Sequence, residues 1–320
     1  MAKGLAFVAL SLIIGVLQSA NAEVPAIFIL GDSTVDVGTN NYLPDSNITA
    51  NFPHNGVDFP FQRATGRFSN GLNTADFLAK FFGFKRSPVS FLSLNGTLAI
   101  KKRRFRGVNF ASAGSGLLDI TGQTSTQKAN VVPMGEQVYQ FSMVYNDLVA
   151  SKGTSEAQNF LSKSLIFISV GSNDIVGNHY SKNPIPKEQF IPNLAVVYEK
   201  HLRELNDQAE AFFSTMDTLM RNLGYENKDI KYSLGNTFNI TKPVIDNPQN
   251  SSFTDVKNAC CGNGTLHCTP LASLCSNRHK YLFWDLFHPT QAASRLAASI
   301  LFVGDSRFAT PVNFSQLAEA

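Results

Sequence analysis

Short apolar runs that end in glycine and small polar residues set the rhythm of this chain. Ile27-Phe28-Ile29-Leu30 stops at Gly31-Asp32-Ser33-Thr34. A partly β-branched run of that length predicts a buried strand, and the glycine predicts a sharp turn. Ser164-Leu165-Ile166-Phe167-Ile168-Ser169-Val170 repeats the design and breaks at Gly171-Ser172-Asn173-Asp174. Apolar without interruption, it predicts a strand at the centre of a parallel sheet. Val108-Asn109-Phe110-Ala111 predicts a further short strand, followed by the small-residue loop Ser112-Ala113-Gly114-Ser115-Gly116, and Lys231-Tyr232-Ser233-Leu234 predicts a last one. Ligands of open α/β sheets sit beyond the carboxyl ends of the strands. Two strands that deliver polar residues to one edge therefore predict a site there.

Between these runs the period changes to that of a helix. Phe77, Leu78, Phe81 and Phe82 keep a three–four spacing after a cap at Asn73 or Thr74. Val138, Phe141, Tyr145 and Leu148 predict a helix over 137–149. Ala293, Leu296, Ala297, Ile300 and Leu301 predict another, with Pro289 in its first turn. Residues 36–70, rich in Asn, Pro, Gly and Phe, predict a long loop. Residues 188–222 keep helical spacing without a break, through Phe190, Leu194, Val197, Leu205, Phe212 and Leu219. That is about 35 residues, against a mean helix of about 11–12.

Composition changes the picture only at the ends and in the cysteines. The 320 residues are 43% hydrophobic and 16% charged, which suits one large α/β domain or two small ones. A net charge of +3 gives no strong draw to nucleic acid. The basic cluster Lys101-Lys102-Arg103-Arg104-Phe105-Arg106 reads as a solvated loop before a strand. Lys3, the apolar run from Leu5 to Leu17 and the small-x-small Ala20-Asn21-Ala22 predict a cleaved signal peptide over 1–22, leaving 23–320 as a single secreted domain. The run falls short of the ~20 residues of a membrane span, and no later stretch is long enough, so no stable membrane insertion is expected. Cys260, Cys261, Cys268 and Cys275 lie close together, and an oxidising route favours disulfides, with three pairings open. Adjacent cysteines followed by six-residue gaps do not match zinc spacings, and the segment itself is expected to be irregular. Sequons at Asn47, Asn95, Asn239, Asn250, Asn263 and Asn313 are candidates for glycosylation.

The candidate chemistry is that of a serine hydrolase. Asp285 and His288 sit three apart on a turn before the last long helix. A serine hydroxyl is a weak nucleophile until an imidazole takes its proton, and that imidazole needs a carboxylate to hold its tautomer. Ser33 is the candidate nucleophile, His288 the base and then acid, and Asp285 the orienter. The backbone N–H groups of Ser33 and Gly114 and the amide of Asn173 are the candidate oxyanion donors.

Four blocks together resemble the plant GDSL-type esterase/lipase family of the SGNH hydrolase superfamily. They are Gly31-Asp32-Ser33, Gly107-Val108-Asn109-Phe110-Ala111-Ser112-Ala113-Gly114, Gly171-Ser172-Asn173-Asp174 and Asp285-Leu286-Phe287-His288-Pro289. Thr65-Gly66-Arg67-Phe68-Ser69-Asn70-Gly71 and Ala259-Cys260-Cys261-Gly262 resemble it too. The resemblance implies a flavodoxin-like three-layer α/β/α sandwich with a central parallel sheet, Ser33, Asp285 and His288 as catalytic residues, and Ser33, Gly114 and Asn173 as the oxyanion hole. It implies an ester substrate, a small molecule or a lipid, and neither cofactor nor metal. No Gly-x-Ser-x-Gly elbow occurs, which argues against an α/β-hydrolase. Thr34 stands where the family usually has leucine, a change expected to be harmless. Between Tyr198 and Asn206 the family normally inserts a further strand and a loop with another cysteine. Here His201-Leu202 runs straight into Arg203-Glu204-Leu205. The expectation is a shortened variant near residues 202–203 that lacks one strand, with cysteines left short of partners.

Two other functions compete. One is a catalytically impaired secreted glycoprotein that keeps the site residues on an incomplete scaffold. The other is a metallophosphoesterase, prompted by Gly177-Asn178-His179, but the ligand sets for two metals are missing, and His179 reads as a loop histidine.

Overall fold

The computed structural model describes residues 24–94, 105–123, 130–181, 183–208, 231–262, 264 and 267–319. The leader 1–22, the basic run 101–104, Asn95, Asn263 and the second half of the long helical pattern lie outside the described residues. The first strand, β1 (Ile27–Gly31), is fully buried. The next elements are α1 (Thr74–Phe81), β2 (Gly107–Asn109), α2 (Met134–Lys152), α3 (Thr154–Ser162) and β3 (Leu165–Ser169). The central sheet is parallel, in the order β2-β1-β3. Alternation along the strands sorts the layers. Phe28 and Leu30 of β1, with Ile166 and Ile168 of β3, face α2 and α3 through Val138, Phe141, Val144, Leu148 and Leu161. Ile27 and Ile29, with Leu165 and Phe167, face the opposite layer, which holds Ala75 and Ala79 of α1. The result is an α/β/α sandwich, and β1 is its central strand.

β3 corrects an expectation. Its five residues are half-buried throughout, and among the described residues only β1 pairs with it. The strand that its apolar sequence calls for on the other side is not among the described residues. Among the described residues β3, apolar enough for the centre, is the last strand of the sheet on its side. The helical pattern that follows is continuous: α4 (Ser172–His179) is succeeded by α5 (Lys187–Gln208), which runs through Leu202-Arg203 as one helix. His201 is buried on α5 and bonds the Leu117 carbonyl at 3.1 Å, a satisfied core histidine.

The rest of the chain closes around this sheet. β4 (Ser233–Gly235) starts two residues into the predicted strand and pairs antiparallel with β7 (Ala309–Pro311); α6 (Thr237–Asp246) follows β4. The cysteine region is less irregular than expected: β5 (Asp255–Ala259) pairs in parallel with β6 (Tyr281–Phe283). All four cysteines are paired, Cys260 with Cys275 and Cys261 with Cys268, so none is left without a partner. α7 (Gln291–Val303) is capped by Thr290, which places Pro289 before the helix and not in its first turn. A short α8 (Phe314–Glu319) ends the described chain. The predicted long loop holds only two single 3-10 turns, at Thr39–Tyr42 and Pro60–Gln62. No helix among the described residues is long and apolar enough to cross a membrane.

Candidate active site

The serine turn depends on Gly31. Its φ is +149°, and a Cβ there would lie 2.1 Å from the Ser169 carbonyl oxygen. Glycine alone lets β1 turn while staying in register with β3. The Asp32 N–H then donates to that same oxygen at 3.0 Å. The Asp32 carboxylate accepts the Thr34 N–H at 2.9 Å and its hydroxyl at 2.8 Å, and Thr34 Oγ1 lies 3.0 Å from Ser169 Oγ. Burial pushes the Asp32 carboxyl above its usual range in spite of the Thr34 bonds. Thr34, a departure from the family pattern, therefore ties the turn to β3. Ser33 is left at the tip, partly exposed.

The Asp285–His288 turn is set by β6 and the cap of α7. Trp284 N–H donates to the His288 carbonyl at 2.7 Å, and Thr290 N–H to the Leu282 carbonyl at 3.0 Å. That closed loop brings two side chains three residues apart onto the same side. Asp285 Oδ1 lies 2.7 Å from His288 Nδ1, and His288 Nε2 lies 2.8 Å from Ser33 Oγ. Asp285 Oδ1 also accepts the Phe287 and His288 N–H groups, at 2.9 and 3.0 Å, and Oδ2 accepts the Cys268 N–H at 3.2 Å. Burial works to raise the Asp285 carboxyl, but the charge and hydrogen bond of His288 and these N–H donors win, and it lies below its usual range. Phe68 packs its ring 4.8 Å from that of His288. His267, at the exposed rim, stacks 5.7 Å from His288. Partial burial and then the charge of His288 hold the His267 imidazole below its usual range, against the pull of Asp285.

The candidate oxyanion donors come from three separate segments of the chain. Among the described residues neither the Ser33 nor the Gly114 N–H has a hydrogen-bond partner. Gly114 holds a φ of +84°, and a Cβ there would meet Ile48 Cδ1 at 2.7 Å. The Asn173 amide donates to the Ser115 carbonyl at 2.8 Å, and Ser115 Oγ donates to the Gly31 carbonyl at 2.8 Å. The three segments are thus bonded together at the carboxyl end of the sheet.

Three supporting residues escape the sequence reading. Gln137 accepts the Gly31 N–H at 2.8 Å and donates to the Gly31 carbonyl, Ser115 Oγ and the Val132 carbonyl at 3.0, 3.2 and 3.0 Å. It stands four residues before Phe141 on the apolar stripe of α2, and a polar residue in such a stripe is the signal that could have found it. Asp174 is buried and accepts the Leu117 and Leu118 N–H groups and the Thr121 hydroxyl, which anchors the loop beside Asn173. Asp36 accepts the Gly38, Thr39 and Ala113 N–H groups, yet burial pushes it up to about 6.

The remaining candidates lie elsewhere. Asn47 and Asn250 are exposed, while Asn239 and Asn313 are half-buried and donate to the Arg307 and Gly304 carbonyls. His179 ends α4 and is no loop residue; its ring lies 4.8 Å from Tyr180.

The motif at 65–71 buttresses the site. The Arg67 guanidinium holds Asp76 with a fork of 2.6 and 2.8 Å, and Asp76 completes a capping box with Asn73 at the start of α1. Asn70 Oδ1 accepts the Gln291 N–H at 2.8 Å, while Gln291 Oε1 accepts the Leu72 N–H at 2.7 Å. Phe68 is therefore fixed from both flanks where it meets His288.

The model of the GDSL-like lipase/acylhydrolase family matches residues 27–301. A GDSL esterase/lipase of Arabidopsis thaliana is 34% identical over 344 aligned positions, which take in 92% of this chain and 90% of the relative. A second from the same plant is 31% identical over 359 positions, covering 97% and 95%. The GDSL esterase/lipase APG of Arabidopsis thaliana is 30% identical, covering 90% and 93%. The alignments are longer than the whole 320-residue chain, so these relatives hold stretches that have no counterpart here. With the match spanning both ends of the Ser33–His288–Asp285 chain, this protein belongs to the GDSL-like lipase/acylhydrolase family.

Proposed function

We propose that this is a secreted serine esterase that cleaves carboxylic esters by way of an acyl-enzyme. One observation carries the proposal: the unbroken chain from Ser33 Oγ through the two nitrogens of His288 to Asp285, at 2.8 and 2.7 Å. Ser33 Oγ bonds to the ester carbonyl carbon as its proton passes to His288 Nε2. Asp285 stays ionised, accepts the hydrogen bond of Nδ1–H and stabilises the imidazolium. The oxyanion is received by the Ser33 and Gly114 N–H groups and by Asn173, each donor worth about 2.7–4 kcal/mol. His288 then protonates the leaving alkoxide as the carbon–oxygen bond breaks. Water, deprotonated by the same imidazole, releases the acid and restores Ser33. The leader at 1–22, the mature domain 23–320 and the two disulfides support export, with glycans at the exposed Asn47 and Asn250 first.

A fluorophosphonate probe should label the mature protein at Ser33, and Ser33→Ala should abolish both labelling and hydrolysis of p-nitrophenyl esters. A graded acyl series then separates lipid-like chains from acetyl and phenolic esters. Retained hydrolysis in Ser33→Ala would refute the assignment. The half-buried β3, paired on one side only among the described residues, favours a second function, an impaired glycoprotein on an incomplete scaffold. A folded wild-type protein that takes no label would select it.

A further inference from the structure

His267 has no part in the reaction above, yet it stands against two residues that do. It follows the Cys261 turn and directly precedes Cys268, whose N–H donates to Asp285. Its ring lies 4.9 Å from that of Phe287 and 5.7 Å from that of His288, inclined by 30° to the latter. One ligand atom from each of His267, Asp285 and His288 falls within 4.8 Å of the others. Asp285 and His288 are buried and held by the turn, whereas His267 is exposed.

Two imidazoles and one carboxylate are a donor set for borderline divalent cations. Zinc takes nitrogen and oxygen at about 2.0–2.2 Å, so neighbouring donors of a tetrahedral site lie about 3.3 Å apart. The 4.8 Å spread of the donors contracts to that figure on binding, and water completes the fourth position. We propose that His267, Asp285 and His288 form an inhibitory site for a divalent transition cation, zinc above all, that reversibly arrests the esterase.

The arrest follows from the electron pairs, and this step rests on the assignment of His288 as base. A neutral imidazole has one lone-pair nitrogen. Asp285 Oδ1 lies on the Nδ1 side of the His288 ring, so a cation shared with Asp285 sits on Nδ1. It forces the ring proton onto Nε2 and so fills the pair that must accept the Ser33 proton. No covalent bond is made or broken, so removing the cation restores the relay. Magnesium and calcium, which prefer oxygen ligands, should not compete.

The test uses the mature, disulfide-bonded chain after dialysis against EDTA. Calorimetric titration with zinc chloride should show one site per chain. Hydrolysis of p-nitrophenyl acetate should fall over the same concentration range, recover with EDTA and ignore magnesium. His267→Phe, which keeps the ring packing, and His267→Gln should both raise the zinc dissociation constant and the half-inhibiting concentration. The rise should be about tenfold or more, the effect that even outer partners of a ligand show. Activities are compared as ratios with and without zinc, so a change in basal rate cancels. Equal zinc sensitivity in wild type and both variants, or no bound zinc, overturns the proposal. If the protein hydrolyses no ester, the calorimetric arm still decides whether His267 holds zinc, and that outcome separates this proposal from the esterase assignment.

Discussion

Replacing Arg67 with methionine tests the link between the 65–71 motif, the fold and the site. The guanidinium and the Asp76 carboxylate are 7% and 0% exposed, and their fork is set at 2.6 and 2.8 Å. Breaking a buried pair on one side costs about 3–5 kcal/mol, because the abandoned charge has no water to turn to. Asp76 would keep the Asn73 and Ser87 N–H bonds, both 3.1 Å, which argues for the lower part of that range. Loss of the cation–π contact over Phe59, at 5.1 Å, adds about 0.5–1 kcal/mol. The expected loss is about 3–4 kcal/mol, a large share of the roughly 5–15 kcal/mol that holds a typical domain together. In urea unfolding the midpoint should drop by about 1 M at an unchanged slope near 3 kcal/mol per molar. Arg67→Lys keeps the charge without the fork and should fall between the two. The adjacent Phe68 packs on His288, so kcat should fall in Arg67→Met with little change in KM. A stability loss under about 1 kcal/mol, the scale of an exposed pair, would refute the reasoning.

Three further outcomes are expected. In Gly116→Ala the new Cβ would lie 2.5 Å from both carboxylate oxygens of Asp174, and overpacking of about 1–3 kcal/mol should appear in the melt together with a lower kcat as Asn173 shifts. The double change Cys261→Ala and Cys268→Ala opens a short loop, for about 2 kcal/mol of stability by loop-entropy reckoning. It also frees the Cys268 N–H from Asp285, so kcat should drop about tenfold, the size of one charge-assisted hydrogen bond. Asp36, raised by burial from 3.8 to about 6, binds its proton more tightly in the fold than in the unfolded chain. Its contribution to stability is full below about pH 4 and is lost as pH rises through about 6, some 3 kcal/mol in all at about 1.36 kcal/mol per pH unit. Denaturant titrations at pH 4, 5, 6 and 7 should show that decline in wild type and a flatter profile in Asp36→Asn; parallel profiles would dismiss it.

Much of the site was legible because each part sits next to a strong local signal. β1 and β3 announce themselves by apolar runs that end in glycine, and Ser33 and Asn173 lie just beyond them. The cap at Asn73 was readable because capping is a contact over three residues. Gln137, Asp36 and Asp174 were not read, because their partners Gly31, Ala113 and Leu117 are distant in the chain. Pro289 misled for a related reason: Thr290 caps α7, and the β6 turn claims the proline.

The amino-acid order alone determined the strand–turn and helix periods, the residue types of a serine relay and an unbroken helical period across Leu202-Arg203. All of these depend on spacing within a few residues. Only the tertiary structure decided that Cys261 pairs with Cys268, that Phe68 buttresses His288, and that β3, written like a central strand, has β1 as its one partner among the described residues. Pairing partners and strand order are contests between segments far apart along the chain. They are settled by which neighbours are present to bury a surface, and β3 has only one among the described residues.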